Sequence, residues 1–369
     1  MRVLQYIGLG SNKYGGLEKY LIELSQQLQN NGDIVSIVYK RGITSKLFKS
    51  SLNEHGVVYY SLAGKKSFCQ LFKSIGSIVR SEKPDIIHLN FANSIECLFF
   101  LIQGKRYNKQ IHIVYTYHCQ PSIDSLRHWI SNAVIVYSSR LVLCVSQASA
   151  KELSNHFKHK AFRTLYLGVP LKTRGMSSFR RELGVPNEKK IITNIAYHDP
   201  IKGIDILVNA VDYLVNTLAY KNLLVLQIGF NAVPEYSETV QRMVVEKGLQ
   251  DYFRFLGFRE DVPDILSASD IYCQPSRSEG VPLSIMEACI SMLPVVATDV
   301  GGNSEAVINN KTGYLCEPEG YISIANCLHD LLENDSRRHD FGNAGYELAK
   351  DLFSIEASVK SLISYYYSC

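Results

Sequence analysis

The chain has 369 residues, 46% of them apolar, and a net charge of +4, enough length and apolar content for two domains with full cores. Its nine cysteines form no CxxC pair and no zinc-type Cys/His spacing, so they read as reduced thiols of a cytosolic protein and exclude a disulfide scaffold. The densest apolar runs, Cys97 to Ile102 and Asn132 to Val145, fall short of the ~20 residues of a membrane-spanning helix.

The start, "MRVLQYIGLG", breaks its apolar run at glycines, so it reads as a first strand and not an export signal. The loop that follows, within "YIGLGSNKYGGLEKY", holds four glycines. A dinucleotide fingerprint needs G-x-G-x-x-G, but after Gly8 and Gly10 the third position is Lys13, and the second strand, "DIVSIVYKR", ends in base where an acid should meet a ribose. A nicotinamide or flavin cofactor is therefore not expected. Gly15 and Gly16 stand just before a helix, where backbone amides can approach an anion; a plain tight turn is the alternative.

In that helix, Leu17, Tyr20, Leu21, Leu24 and Leu28 share a face, and Gly32 ends it. Further along, "GVVYYSL", "PDIIHLN", "HIVYTYHC" and "RLVLCVS" read as strands separated by helical segments, which predicts a parallel, doubly wound sheet. One such segment, Gly64 to Lys83, mixes Lys and Arg with Phe68, Leu71, Phe72, Ile75 and Val79. It reads either as a helix lying on an anionic membrane or as a sheet-covering helix with basic edges. His118, at a strand end, is of a kind more often structural than functional when taken on its own, and His156 and His159 read as exposed basic surface.

A Gly/Pro/Ser/Arg-rich stretch near Gly168 to Lys190 suits a linker, after which strands and helices alternate again. The expected division is residues 1–170, a linker 171–190, a second domain 191–353, and a C-terminal helix 354–369 packing back on the first domain. Two such sheets facing each other would hold a ligand in the cleft between their strand ends. Charge divides similarly: residues 1–170 carry 21 Lys/Arg against 9 Asp/Glu, a net of +12, and the remainder 18 against 26, a net of −8. A basic front half suits an anionic membrane, a phosphorylated substrate or nucleic acid, or is simply solvated.

The sharpest local signal is "SRSEGVPLSIMEA", Ser276 to Ala288. Gly280 and Pro282 punctuate a strand-to-helix turn whose free amides can hold a phosphate. Glu279 lies ahead of the helix and Glu287 inside it, each able to accept bonds from vicinal hydroxyls. Lys202-Gly203 and Gly301-Gly302, with Glu305, mark two more such turns.

With "SEGVPLSIMEA", "GGNSEAV" and Lys202-Gly203 in place, the chain resembles family 4 of the retaining glycosyltransferases, most strongly from Ile191 to Gly320. The resemblance implies the GT-B fold: two Rossmann-like, doubly wound parallel-sheet α/β domains facing across a cleft. It implies that Glu279 contacts the donor sugar and Glu287 the nucleotide ribose, while the turn through Pro282 holds the phosphate and hexose with the amides of Gly280, Val281 and Leu283. Lys202 matches the lysine that binds the diphosphate, Gly15 and Gly16 the amino-terminal glycine pair, and His118 the histidine near the transferred sugar. Arg259 is a weaker candidate for base contacts. Glu279, His118 and Lys202 are the expected catalytic groups.

One departure is Tyr197, where the family has an arginine five residues before the lysine; Arg277 is then an alternative source of charge for the diphosphate. A milder one is Leu167 in "YLGVP", where the family has asparagine. The expected activity is transfer of a hexose, with retention, from a nucleoside diphosphate sugar such as a UDP-sugar to a glycan or lipid-linked acceptor. No cofactor or metal is expected, the chain showing no DxD pair. The expected place is cytoplasmic, peripheral at the membrane's inner face. An epimerase of the same architecture and a sugar-nucleotide-binding protein without turnover are the rival readings; no nucleic-acid partner is expected, since no reading motif is present.

Overall fold

A parallel strand covered on both faces has no reason to alternate polar and apolar residues, and these strands do not. In a computed structural model, which describes residues 1–11, 15–62, 64, 67–118, 121–171, 179–280 and 283–369, they assemble into two wholly parallel sheets. The first comprises β1 (Arg2–Ile7), β2 (Ile34–Tyr39), β3 (Val58–Ser61), β4 (Ile86–Asn90), β5 (His112–Tyr117), β6 (Leu141–Cys144) and β7 (Phe162–Thr164), in the order β3-β2-β1-β4-β5-β6-β7. The second comprises β8 (Lys190–Ile195), β9 (Leu223–Ile228), β10 (Phe253–Phe255), β11 (Ile271–Gln274), β12 (Val295–Thr298) and β13 (Gly313–Cys316), in the order β10-β9-β8-β11-β12-β13.

Each sheet lies in its own compact unit: Met1–Gly168 with Ile355–Cys369, and Val169–Ser354. The last helix, Ile355–Tyr367, joins the first unit, burying Ile355, Val359, Leu362, Ile363 and Tyr366 against Val3, Ile7, Ile37 and the helix Gly16–Asn30. Tyr365 and Tyr367 add hydrogen bonds to the Thr164 carbonyl (3.0 Å) and the Asp33 carboxylate (2.7 Å). The second unit's core is built from Ile192, Val225, Ile271, Cys273 and Val296 beneath the helices Ile204–Asp212 and Tyr321–Glu333.

The helix Phe68–Glu82 starts at the Ser67 cap and covers the first sheet. Ile75 and Val79 are fully buried, and Phe68 and Phe72 set their edges against Phe99 at 4.5 and 5.0 Å. Ile75 and Val79 are thus spent on the core, while Phe68 stays 61% exposed and Lys73 and Arg80 are exposed beside it, so the helix covers the sheet and keeps basic edges.

In both sheets the chain direction of winding reverses at one point, between β1 and β4 and between β8 and β11. Loops from neighbouring strands part there, which opens a crevice at the carboxyl ends. Buried polar residues gather near those points: Gln5, His88, Asn90 and Thr116 in the first sheet, and Thr193, Asn194, Gln227 and Gln274 in the second.

Candidate active site

Lys202 and Glu279 approach from the two sides of the second reversal point. Lys202 ends a short 3-10 turn after β8, and Glu279 lies in the loop after β11. The turn is closed by Asp199, whose carboxylate accepts from the Ile201 amide at 2.9 Å. Gly203 follows with φ +64°, and a Cβ there would stand 2.0 Å from the Pro275 carbonyl oxygen. Only glycine permits both the left-handed backbone and that approach.

The Lys202 ammonium donates to both carboxylate oxygens of Glu279, at 2.8 and 2.9 Å, with the two side chains 14% and 6% exposed. Glu279 Oε1 also accepts from Gln274 Nε2 (2.8 Å) and Ser276 Oγ (2.6 Å). Tyr272 in turn donates to Gln274 Oε1 at 2.5 Å, and burial pushes that phenol's pKa well up, so it remains a donor. The carboxylate is therefore oriented by β11 itself before any ligand arrives.

Tyr197 flanks this pair. Its ring lies 5.2 Å from the Lys202 ammonium and stacks on Phe230 with centroids 5.7 Å apart. Where the family arginine would bring a second cation, this chain places an aromatic face that holds the first one.

Arg277 is brought near but differently engaged. Its guanidinium forks onto Asp205 at 2.9 and 2.8 Å, reaches Glu319 at 2.5 and 3.0 Å, and donates to the Pro200 carbonyl. Burial pushes Asp205 up, but the bonds from Arg277 and Tyr236 outweigh it and leave the carboxyl below its usual range. The guanidinium ties three loops together, and its charge is met by two carboxylates, which argues against the expectation that it serves the diphosphate.

Gly280 sits at the mouth of the helix Leu283–Ile290, and Leu283 opens that helix; Val281 and Pro282, singled out in the sequence, lie outside the described residues. Glu287 stands half-buried one turn along. Arg259, in the loop after β10, is paired with Asp261 at 2.8 and 2.5 Å and lies over the Phe179 ring, 5.6 Å away.

The remaining residues belong to the first unit. The Gly15 amide donates to the carboxylate of Glu18 at 3.0 Å, so this turn is already engaged within the chain, and Gly16 begins the helix. His118 follows β5, donates from Nε2 to Asn90 Oδ1 at 2.9 Å, and stacks on Phe91 with centroids 4.0 Å apart. Burial pushes its pKa down to about 3, so its imidazole is neutral at pH 7.

Asp205, Glu319, Gln274, Ser276 and Asn90 were not singled out in the sequence. Ser276, within the same motif as Glu279, is the one with a local signal. Among the described residues no cluster of His, Cys, Asp and Glu could hold a metal ion, and no helix is long and apolar enough to cross a membrane.

Comparison with known proteins agrees with this architecture. A model described as "Glycosyltransferase Family 4" matches residues 14–173, and one described as "Glycosyl transferases group 1" matches residues 176–348. The chain is 27% identical to a D-inositol 3-phosphate glycosyltransferase of Corynebacterium efficiens, over 98% of this chain and 92% of that one. It is 25% identical to an N-acetyl-alpha-D-glucosaminyl L-malate synthase of Bacillus anthracis, over 94% and 92%. A glycosyltransferase structure from Rickettsia africae matches with a TM-score of 0.85 at 18% identity, over 100% of this chain and 98% of that one. The Anabaena HepE protein in complex with UDP matches at 0.84 and 21%, over the whole of both chains. The fold is thus GT-B, two Rossmann-like parallel-sheet units, and the chain belongs to glycosyltransferase family 4.

Proposed function

We propose that the enzyme transfers a hexose from a UDP-sugar to a hydroxyl acceptor with retention of anomeric configuration, without a metal ion, in the synthesis of a cell-surface polysaccharide or glycolipid. The observation that carries the reading is the Lys202 ammonium held between both oxygens of Glu279 at the reversal point of the second sheet. On donor binding, Lys202 turns to the diphosphate, and Glu279, still oriented by Gln274 and Ser276, accepts bonds from sugar hydroxyls. As the bond from the anomeric carbon to the phosphate oxygen breaks, the diphosphate keeps the electron pair, and Lys202 and nearby amides stabilise that charge. The acceptor oxygen attacks from the same face, and its proton passes to the departing phosphate.

Support for the donor comes from HepE, which has been solved with UDP and with UDP-glucose. The two curated relatives are named for D-inositol 3-phosphate and L-malate, both anions, and the basic front half suits an acceptor that carries negative charge. A thermal-shift screen of UDP-hexoses, followed by mass spectrometry of transfer to phosphorylated or lipid-linked acceptors, tests the reading. We expect one donor to raise the melting point, transfer with retained configuration, and an unchanged rate with chelator. An inverted product or a chelator-sensitive rate would sink those parts of it. A second reading, binding without turnover, is favoured by Tyr197 at the arginine position; donor stabilisation without transfer to any acceptor would establish it.

We also infer contact of the first unit with an anionic membrane. Two groups of exposed apolar residues lie on the helix Ser94–Tyr107 (Ile95, Leu98, Ile102) and the helix Leu126–Ser138 (Leu126, Trp129, Ile130, Tyr137). Each set shares one helix face, with Lys105, Arg106 and Arg127 alongside. The protein should float with anionic liposomes at low salt, and Leu126→Glu with Trp129→Glu should keep it in solution. Failure of the unaltered protein to float removes the idea.

A further inference from the structure

His118 stands at the end of a buried hydrogen-bonded chain. His118 Nε2 lies 2.9 Å from Asn90 Oδ1, and Asn90 Nδ2 donates to Gln5 Oε1 at 3.0 Å. Gln5 Nε2 donates to the Tyr366 hydroxyl at 2.6 Å. That hydroxyl is 2.5 Å from His88 Nδ1, and His88 Nε2 is 2.6 Å from Thr116 Oγ1. Gln5, His88, Asn90, Thr116 and Tyr366 are each at most 5% exposed. The register makes the chain possible, since parallel pairing sets Gln5 opposite His88 and Asn90 opposite Thr116.

Donor and acceptor chemistry gives the chain one direction. Each amide has a donating nitrogen and an accepting oxygen, so the Asn90 oxygen that faces His118 requires a proton on Nε2. The hydroxyl of Tyr366, already accepting from Gln5, passes its own hydrogen to His88 Nδ1. His88 then carries its proton on Nε2 and donates to Thr116. His118 is left with a bare Nδ1, and that atom is buried without a hydrogen-bond partner among the described residues. A buried polar atom with no partner costs stability, and such a cost is commonly stored at sites that await a ligand. The stacked Phe91, in the left-handed region at φ +55°, closes one face of the imidazole and hinders rotation.

We propose that this chain, from Tyr366 on the C-terminal helix through Gln5 and Asn90, fixes the His118 tautomer so that Nδ1 is offered as an acceptor to a substrate hydroxyl. Asn90, Gln5 and Tyr366 are then positioning residues. The proposal deepens the transferase reading and rests on it for the identity of the ligand. A neutral imidazole with its only N–H engaged is neither a cation nor an acid, which selects a hydroxyl and rejects a phosphate oxygen as its partner.

The tautomer is readable without substrate, so the relay and the transferase reading fail separately. Protein labelled with 15N at histidine, with His118 assigned by loss of its signals in His118→Gln, should show the Nε2–H form alone by long-range 1H–15N correlation. Asn90→Leu should mix the two tautomers and lower kcat at least tenfold, with donor KM changing less than threefold. Asn90→Asp, which still accepts from Nε2, should keep the tautomer and recover most of kcat. Tyr366→Phe should give a smaller mixing, which serves if Asn90→Leu does not fold. An Nδ1–H form in the unaltered protein, or a tautomer indifferent to these substitutions, overturns the relay. A tautomer that responds while kcat does not would leave the relay standing and overturn the offer of Nδ1 to substrate.

Discussion

The Lys202 ammonium lies between the Glu279 carboxylate and the ring of Tyr197, and both neighbours make it hard to replace. Glu279 has a side chain only 6% exposed, so Lys202→Ala would strand a mostly buried charge, which costs about 3–5 kcal/mol when a pair is broken from one side. The bonds from Gln274 and Ser276 soften that loss, so we expect the lower end. If Lys202 also serves the departing diphosphate, kcat falls by roughly 100- to 1000-fold, the scale of removing one stabilising donor. Lys202→Ala should therefore lower both melting point and kcat. Arg277→Ala should separate them, because its guanidinium is spent on Asp205 and Glu319. Its loss should cost about 1–3 kcal/mol and leave donor KM within threefold. A donor KM raised more than tenfold, at unchanged melting point, would return Arg277 to the donor site.

At the scale of elements, the loop bearing Glu279 is shaped from outside. Gly301, after β12, has φ +55°, and a Cβ there would stand 1.8 Å from the Glu279 carbonyl oxygen. Gly184 has nearly the same backbone, φ +61°, but faces open space. Gly184→Ala should cost only the left-handed strain, about 1–2 kcal/mol, with kinetics unchanged. Gly301→Ala should cost more and push the Glu279 loop out of place, which we expect to raise donor KM at least tenfold. Equal kinetics in the two variants would show that the loop's position does not depend on Gly301. The strands were legible because a doubly covered parallel strand is a nearly unbroken apolar run, as in "NLLVLQIG". Turns such as Lys202-Gly203 were legible because glycine before a helix has a backbone meaning. The Arg277 clamp was not, since Asp205 and Glu319 lie 72 and 42 residues away and nothing local marks a carboxylate as a partner. The relay behind His118 was hidden likewise, because a lone Gln5 inside a strand gives no sign of what it meets.

On the scale of the whole molecule, chain order and structural order part company at Ile355. The last helix completes the first unit after an intervening unit of its own sheet. Its buried residues, Ile355, Val359, Leu362, Ile363 and Tyr366, each contribute about 1.5–3 kcal/mol for a large apolar side chain. Together they reach on the order of 10 kcal/mol, as much as the whole net stability of a typical domain. Cutting the chain after Ser354 also strips Gln5 and His88 of the Tyr366 hydroxyl, leaving buried polar groups unpaired. Residues 1–354 should therefore lose the first unit's unfolding transition in calorimetry while the second unit keeps its own. The second unit's transition serves as the internal control, because its core draws on no residue beyond Ser354. A first-unit transition surviving within a few degrees would mean that the helix packs on a sheet already stable without it, and Tyr366 would then have to act on His118 from an element that the fold can spare.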